Sequence, residues 1–251
     1  MSARLRYVGH ATVLVELDGV RLLTDPLLRR RVAHLRRTKR VDLAPLRELD
    51  AVLVSHAHHD HLDLPSLERL GRELPVIVPR GLAPLLRKRR FEQVFEIGEG
   101  EEVTIGGLTL RATHADHSAT RTFSRGLAGQ AVGYALLGSR RIYFAGDTDL
   151  FEEMDGLVDG LDVALIPIWG WGPSLGRGKH LDPKRAAEAI RLLRPRIAVP
   201  IHWGTYRPIH LGVFDEPAFL RWPAEVFARA TADVAPDVEV RVLKPGEATD
   251  L

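Results

Sequence analysis

The apolar run Val52–Ser55 ends in His56-Ala57-His58-His59-Asp60-His61, an H-x-H-x-D-H pattern. Imidazoles and a carboxylate at this density suit the holding of divalent cations. Residues two apart in an extended segment project the same way, so His56 and His58 can grip one ion. Asp60 and His61 can reach a second ion as the chain turns. Further donors follow other apolar runs. Asp147 stands in Gly146-Asp147-Thr148 after Ile142–Ala145, His202 in His202-Trp203-Gly204 after Ile197–Pro200, and His114 and His117 after Leu108–Ala112. A carboxylate such as Asp147 can bridge two metals about 3.5–4 Å apart. No thiolate is present to force zinc, so two ions of zinc, manganese or iron(II) all suit these donors. Two such ions sharing a bridging water would supply hydroxide near neutral pH for attack on phosphorus or a carbonyl carbon. Asp147 would hold the ions together, and Asp60 would orient the nucleophile or accept its proton.

These donors need strand ends to present them, and the sequence supplies strands. Asp18-Gly19, Gly106-Gly107 and Gly138-Ser139 each separate two strand-like runs, which predicts three hairpins. Further strands are expected at Ala51–Val54, Pro75–Val78, Val163–Ile166, Ile197–Pro200 and Glu239–Leu243. Helical patterns cover Pro65–Arg72, Leu82–Arg89, Pro183–Leu193 and Pro217–Ala230, three of them with Pro near the first helical position, where its missing N–H costs nothing. The result is an α/β layered fold with a large antiparallel component.

The chain has 251 residues, 45% hydrophobic and 27% charged, too apolar for disorder. It reads as one domain over residues 1–251. The lack of cysteine excludes disulfides, zinc ribbons and thiol nucleophiles. No G-x-S-x-G occurs to offer a serine nucleophile. No apolar run reaches the ~18–20 residues of a membrane span and no secretory h-region opens the chain, so a cytoplasmic location is expected. Cationic charge is almost all Arg, densest from Arg29 to Arg40. That stretch reads as a solvated, partly helical basic face, with an anion-binding patch as the alternative.

The full set of motifs resembles the metallo-β-lactamase fold from Tyr7 to about Pro208. Val8-Gly9-His10-Ala11-Thr12, Leu23-Thr24-Asp25-Pro26, His180-x-Asp182-Pro183-x-x-Ala186 and His202-Trp203-Gly204-Thr205-Tyr206 resemble the branch containing N-acyl phosphatidylethanolamine phospholipase D and the ascorbate-6-phosphate lactonase-like proteins. The resemblance implies a four-layer αββα sandwich. It implies His56, His58 and His117 around one metal, Asp60, His61 and His202 around a second, and Asp147 between. His117 is preferred to His114 because the branch reads T-x-A-x-H-S there. His180 matches a position at the rim of the active site, as a proton donor, an anion-holding group or a helix-entry contact. His10 and Asp25 are candidates for orienting ligands, with a structural histidine and a turn-stabilising Asp as the alternatives. Asp182 is a candidate for capping its helix, and Trp169 and Trp171 for walling a substrate pocket or packing their loop onto the body. His34 and His210 are read as surface residues.

The function expected is metal-dependent hydrolysis of a phosphodiester or lactone in a small or lipid-like ester. A nuclease acting on RNA or DNA is the second reading, since related folds cleave nucleic acid with the same metals. A non-catalytic metal- or ligand-binding module is the third. Oligomeric state is not legible in these residues.

Overall fold

The computed structural model describes residues 3–118, 130–169, 180–211 and 217–251. The first half of the chain forms β1 (Arg4–Gly9), β2 (Thr12–Leu17), β3 (Val20–Thr24), β4 (Arg31–Val32), β5 (Leu35–Arg37), β6 (Ala51–Leu53), α1 (Leu64–Leu70), β7 (Val76–Pro79), α2 (Ala83–Lys88) and β8 (Val94–Ile97). The second half forms β9 (Glu102–Ile105), β10 (Leu108–Thr113), β11 (Gly133–Leu137), β12 (Arg141–Phe144), β13 (Val163–Pro167), α3 (Pro183–Leu193), β14 (Ile197–Ile201) and β15 (Tyr206–Pro208). It closes with α4 (Trp222–Val234), β16 (Glu239–Val240) and β17 (Ala248–Asp250). All three expected hairpins form, as β2–β3, β9–β10 and β11–β12.

Two mixed seven-stranded sheets result, in the orders β17-β1-β2-β3-β6-β7-β8 and β16-β14-β13-β12-β11-β10-β9. The period-2 alternation of side chains sorts the first sheet's residues into two layers. Val13, Val15, Ala51, Leu53 and Ile77 join a core shared with Leu110, Tyr134, Leu136, Phe144 and Leu165 of the second sheet. Leu14, Val52, Val76 and Val78 point the other way, onto Leu64 and Leu67 of α1 and Ala83 and Leu86 of α2. Helices α3 and α4 pack on each other and cover the second sheet through Ala186, Ile190 and Phe227. The layers are helix, sheet, sheet, helix, the expected sandwich.

Strand direction brings the donors together. β3 and β6 run parallel, as do β12, β13 and β14. β10 and β12 are both antiparallel to β11 between them, so they too share a direction. The carboxyl ends of β3, β6, β10, β12 and β14 carry Asp25, the H-x-H-x-D-H loop, His117, Asp147 and His202 respectively. The sheets are tied near that edge by the Tyr134 hydroxyl donating to the Val54 carbonyl at 2.8 Å and by Val132 N–H donating to the Ser55 carbonyl at 3.0 Å.

Three expectations about elements change. The basic stretch is not helical: β4 and β5 form a hairpin that pairs with β15 in a separate three-stranded sheet. Arg is a good helix former, but non-local pairing with Tyr206–Pro208 overrides that local preference. The last helical pattern splits into a 3₁₀ turn at Ala218–Leu220 and α4, which starts at Trp222 with Pro in its first turn. Finally, β8 was not anticipated, since its run of four residues, Val94-Phe95-Glu96-Ile97, is short and broken by a charge.

Candidate metal centre

The loop between β6 and α1 starts where Val54 N–H still donates to the Ile77 carbonyl, and ends at Asp63, whose side chain caps α1 by accepting from Ser66 N–H at 3.2 Å. Within it, His56 and His61 are fully buried, Asp60 is partly exposed, and His59 faces out.

His56, His58 and His117 form one nest. His56 Nε2 lies 2.9 Å from His58 Nδ1, which lies 3.2 Å from His117 Nε2. Four-coordinate ligands about 2.0–2.1 Å from a cation stand about 3.3–3.4 Å apart, so these spacings are close to those of three ligands on one ion. His114 is elsewhere, half-exposed and 3.0 Å from Glu99. The structure therefore brings His117 to the nest and leaves His114 out.

His10, Asp60, His61 and His202 form a second nest, again with one donor atom each within 4.8 Å of the others. Asp60 Oδ2 is 3.6 Å from His61 Nε2 and 3.8 Å from His202 Nε2. Asp147 lies between the nests. Its Oδ2 is 3.1 Å from His61 Nε2 and 4.0 Å from His56 Nε2, and its Oδ1 is 3.4 Å from His202 Nε2. His180 approaches the same carboxylate, Nδ1 to Oδ2, at 3.3 Å.

Hydrogen bonds behind the rings fix which nitrogen faces inward. Asp25 is fully buried at the end of β3 and acts on both nests. It accepts from His61 Nδ1 at 2.6 Å and from the Ser55 hydroxyl at 2.6 Å. With its proton given to Asp25, Ser55 Oγ accepts from His56 Nδ1 at 2.9 Å. His202 Nδ1 donates to the Trp169 carbonyl at 2.5 Å. In each case Nδ1 is engaged and Nε2 is directed to the centre, the usual arrangement behind a metal-ligating imidazole. His10 donates to Asp60 Oδ2 at 3.1 Å, with its ring 3.9 Å from that of His202. It orients both.

The remaining loops are equally tied. Thr148 holds the two loops beside Asp147: its hydroxyl accepts from Asp116 N–H and its carbonyl from Leu181 N–H, both at 3.0 Å. Asp182 caps α3 by accepting from Lys184 and Arg185 N–H. Buried Asp149 accepts from Arg185 at 2.6 Å, which anchors α3 beside His180. Sequence reasoning missed Asp149, and only its place two residues after Asp147 hinted at it. Gly146 is required, because its φ is +62° and a Cβ there would stand 2.5 Å from Ser55 Cβ. Trp169 packs its ring edge-on to Trp222 at 5.4 Å. Trp171 to Pro173 lie outside the described residues. His34 and His210 are exposed, as expected.

Charge in this pocket is tightly coupled. Burial works against it, but the Asp147, Asp60 and Asp25 carboxylates raise His61 well above the ordinary imidazole value. His202 is likewise raised, with Asp147 overcoming burial. Asp60 and Asp147 are also opposed by burial, yet the facing histidines hold both well below the carboxylate range. Burial lowers His56, takes His10 down to about 3 and takes His180 down to about 4. The protein thus places protonated imidazoles against buried carboxylates where a cation would satisfy the same acceptors. His61 Nε2 and Asp147 Oδ1 are buried beside charged partners, yet neither makes a hydrogen bond of good geometry among the described residues. Such atoms are rare in interiors unless something binds them. The donor set therefore fits metal ions.

A profile described as a beta-lactamase superfamily domain matches residues 20–203. The chain is 33% identical over 251 residues to a UPF0173 metal-dependent hydrolase of Methanopyrus kandleri, covering 97% of this chain and 98% of that one. It is 34% identical over 225 residues to N-acyl-phosphatidylethanolamine-hydrolyzing phospholipase D 1 of Caenorhabditis elegans, covering 80% of this chain but only 63% of that longer protein. Among solved structures, the metallo hydrolase Igni18 of Ignicoccus hospitalis matches with a TM-score of 0.74 and 26% identity, over 100% of this chain and 99% of that one.

Proposed function

Because this chain belongs to the beta-lactamase superfamily and is one of its metal-dependent hydrolases, we propose that it holds two divalent cations and cleaves the phosphodiester bond of a small or lipid-like substrate. The observation that carries the reading is the place of Asp147, whose carboxylate reaches both histidine nests. His56, His58 and His117 would hold one ion, Asp60, His61 and His202 the other, with Asp147 shared. Divalent cations in these nests would polarise a substrate oxygen and acidify a water near neutral pH.

The chain's own groups divide the remaining work by exposure. Asp147 is 2% exposed and His61 not at all, so both serve the interior of the site. Asp60 is 20% and His180 16% exposed, which puts them where substrate can touch them. Asp60 is kept anionic by His61, His10 and His202 and can accept a hydrogen bond from the attacking water, which orients it. His180 can hydrogen-bond a phosphoryl or carbonyl oxygen from the open side, anchored through α3. Asp25 and His10 touch no substrate and act as positioning residues.

The choice of phosphodiester over lactone is supported by the likeness to the phospholipase relative, which hydrolyses N-acyl-phosphatidylethanolamine. Zinc, manganese and iron(II) all suit the donors, and we propose that the whole chain works as a single catalytic unit. The test is hydrolysis of a generic phosphodiester and a simple lactone side by side, with a chelator control. Chelator-sensitive cleavage of the phosphodiester is expected, restored by added metal. Preference for the lactone would replace the substrate class, and silence on both would remove the catalytic claim.

A further inference from the structure

We propose that the arginine-rich sheet formed by β4, β5 and β15 is a second ligand site, an anion site that takes a phosphate group. A cavity of about 270 Å³ there is lined by Arg30, Arg36, Arg37, Lys39, Arg40 and Arg207, with no carboxylate among the described residues that line it. Strand register makes the charge worse. Arg31 pairs with Arg36, and Arg36 pairs with Arg207, so cations stand directly opposite one another across both strand pairs. Like charges in that position oppose pairing.

Arg37 adds a second, independent observation. Its side chain is only 5% exposed, and its guanidinium donates to the carbonyls of Leu27 and Val8 and to the Tyr206 hydroxyl. Its Nε is buried with no hydrogen-bond partner among the described residues, and no described acid pairs with it. The guanidinium also lies 5.4 Å over the Tyr206 ring, so Arg37 is a buried cation held by neutral acceptors and a ring face, and it adds positive potential to the cavity it lines. Guanidinium groups match a phosphate's oxygens in charge and geometry. The adjoining cleft of about 870 Å³ shares Thr38, Lys39 and Arg207 and continues over Trp203, Leu220 and Val242. That leaves room for an apolar tail on the same ligand. The site uses none of the residues assigned to the metals, so it stands or falls separately from the hydrolytic reading.

The test is calorimetric titration of inorganic phosphate into the full, metal-loaded chain as parent, Arg36→Gln/Arg40→Gln and Arg87→Gln/Lys88→Gln. The last pair removes the same charge from exposed positions on α2. The arginine variant is expected to bind phosphate at least tenfold more weakly, while the α2 variant binds like the parent. All three should keep their metal content, and neither variant should unfold earlier than the parent. Vesicles of phosphatidylglycerol, against phosphatidylcholine, separate a lipid headgroup from a free ligand. Recruitment of the parent but not the arginine variant supports the first source, and phosphate binding without recruitment supports the second. Equal phosphate affinity in all three proteins would overturn the proposal. So would binding of single-stranded RNA by the parent with no phosphate or vesicle binding.

Discussion

The loop edge around Asp147 and the three-stranded sheet around Arg36 both concentrate charge, yet they are built on opposite plans. At the edge, buried anions and imidazoles alternate in space, and the rings of His61, His56 and His202 are held from behind by Asp25, Ser55 and a backbone carbonyl. In the small sheet, cations face cations across the strands. The first arrangement nearly neutralises itself and waits for ions of fixed geometry. The second sets like charges opposite one another, the arrangement proposed above to take an anion. Removing charge should therefore harm the first region and help the second.

Asp147→Ala should sharpen that contrast most. Loss of the shared carboxylate is expected to empty both nests and reduce turnover by about 10³-fold, the scale of losing an electrostatic group at a reacting centre. Metal content by mass spectrometry and the circular dichroism of the variant check that the ions have gone and the fold has stayed. Asp25→Asn tests the layer behind the nests. Metal affinity is expected to fall about 10–100-fold, as for other groups that orient ligand histidines. Competition with a chromogenic chelator reads the loss, and an unchanged affinity would show that Asp25 merely stabilises the turn.

pH offers a milder way to probe the same edge. In metal-free protein His61 and His202 titrate above 6.5, so their contribution is complete below that value and is lost as pH rises through their raised values. His10, His56 and His180 titrate below 6.5, so protonating them costs stability as pH falls beneath it. Asp60 and Asp147 add stability above the carboxylate range that is lost only at stronger acid. Denaturant midpoints of chelated protein should peak near neutrality and drop on both sides. Loaded protein should lose the alkaline drop, since metal binding favours deprotonated ligands.

The smallest effect is expected in the basic sheet. Arg36→Gln removes a cation facing Arg31 and Arg207 and should raise stability by about 0.2–1 kcal/mol at low salt. The gain should shrink as salt screens the repulsion. A loss of stability in urea titrations would mean that Arg36 is paired in solution.

These two regions also differ in how far the sequence reveals them. H-x-H-x-D-H announces itself because its donors are adjacent in the chain, and the apolar runs before Asp147 and His202 mark strand ends. Helix α3 has the limits its Pro183 start and apolar spacing imply. The role of Asp25 was legible as one of two readings, but its reach to both nests through Ser55 depends on the parallel pairing of β3 with β6. The small sheet was not legible. Its strands are two and three residues long, and their partner lies about 170 positions away in the chain. Local preference in such a segment says helix, and only tertiary pairing says strand.

The measurement that tests the paired nests most directly is a metal titration of chelated protein in which bound ions per chain and phosphodiester turnover are followed together. Turnover should stay low through the first equivalent and rise with the second, reaching a plateau at two ions per chain. A plateau after one ion, with no further gain from the second, would contradict the shared role given to Asp147.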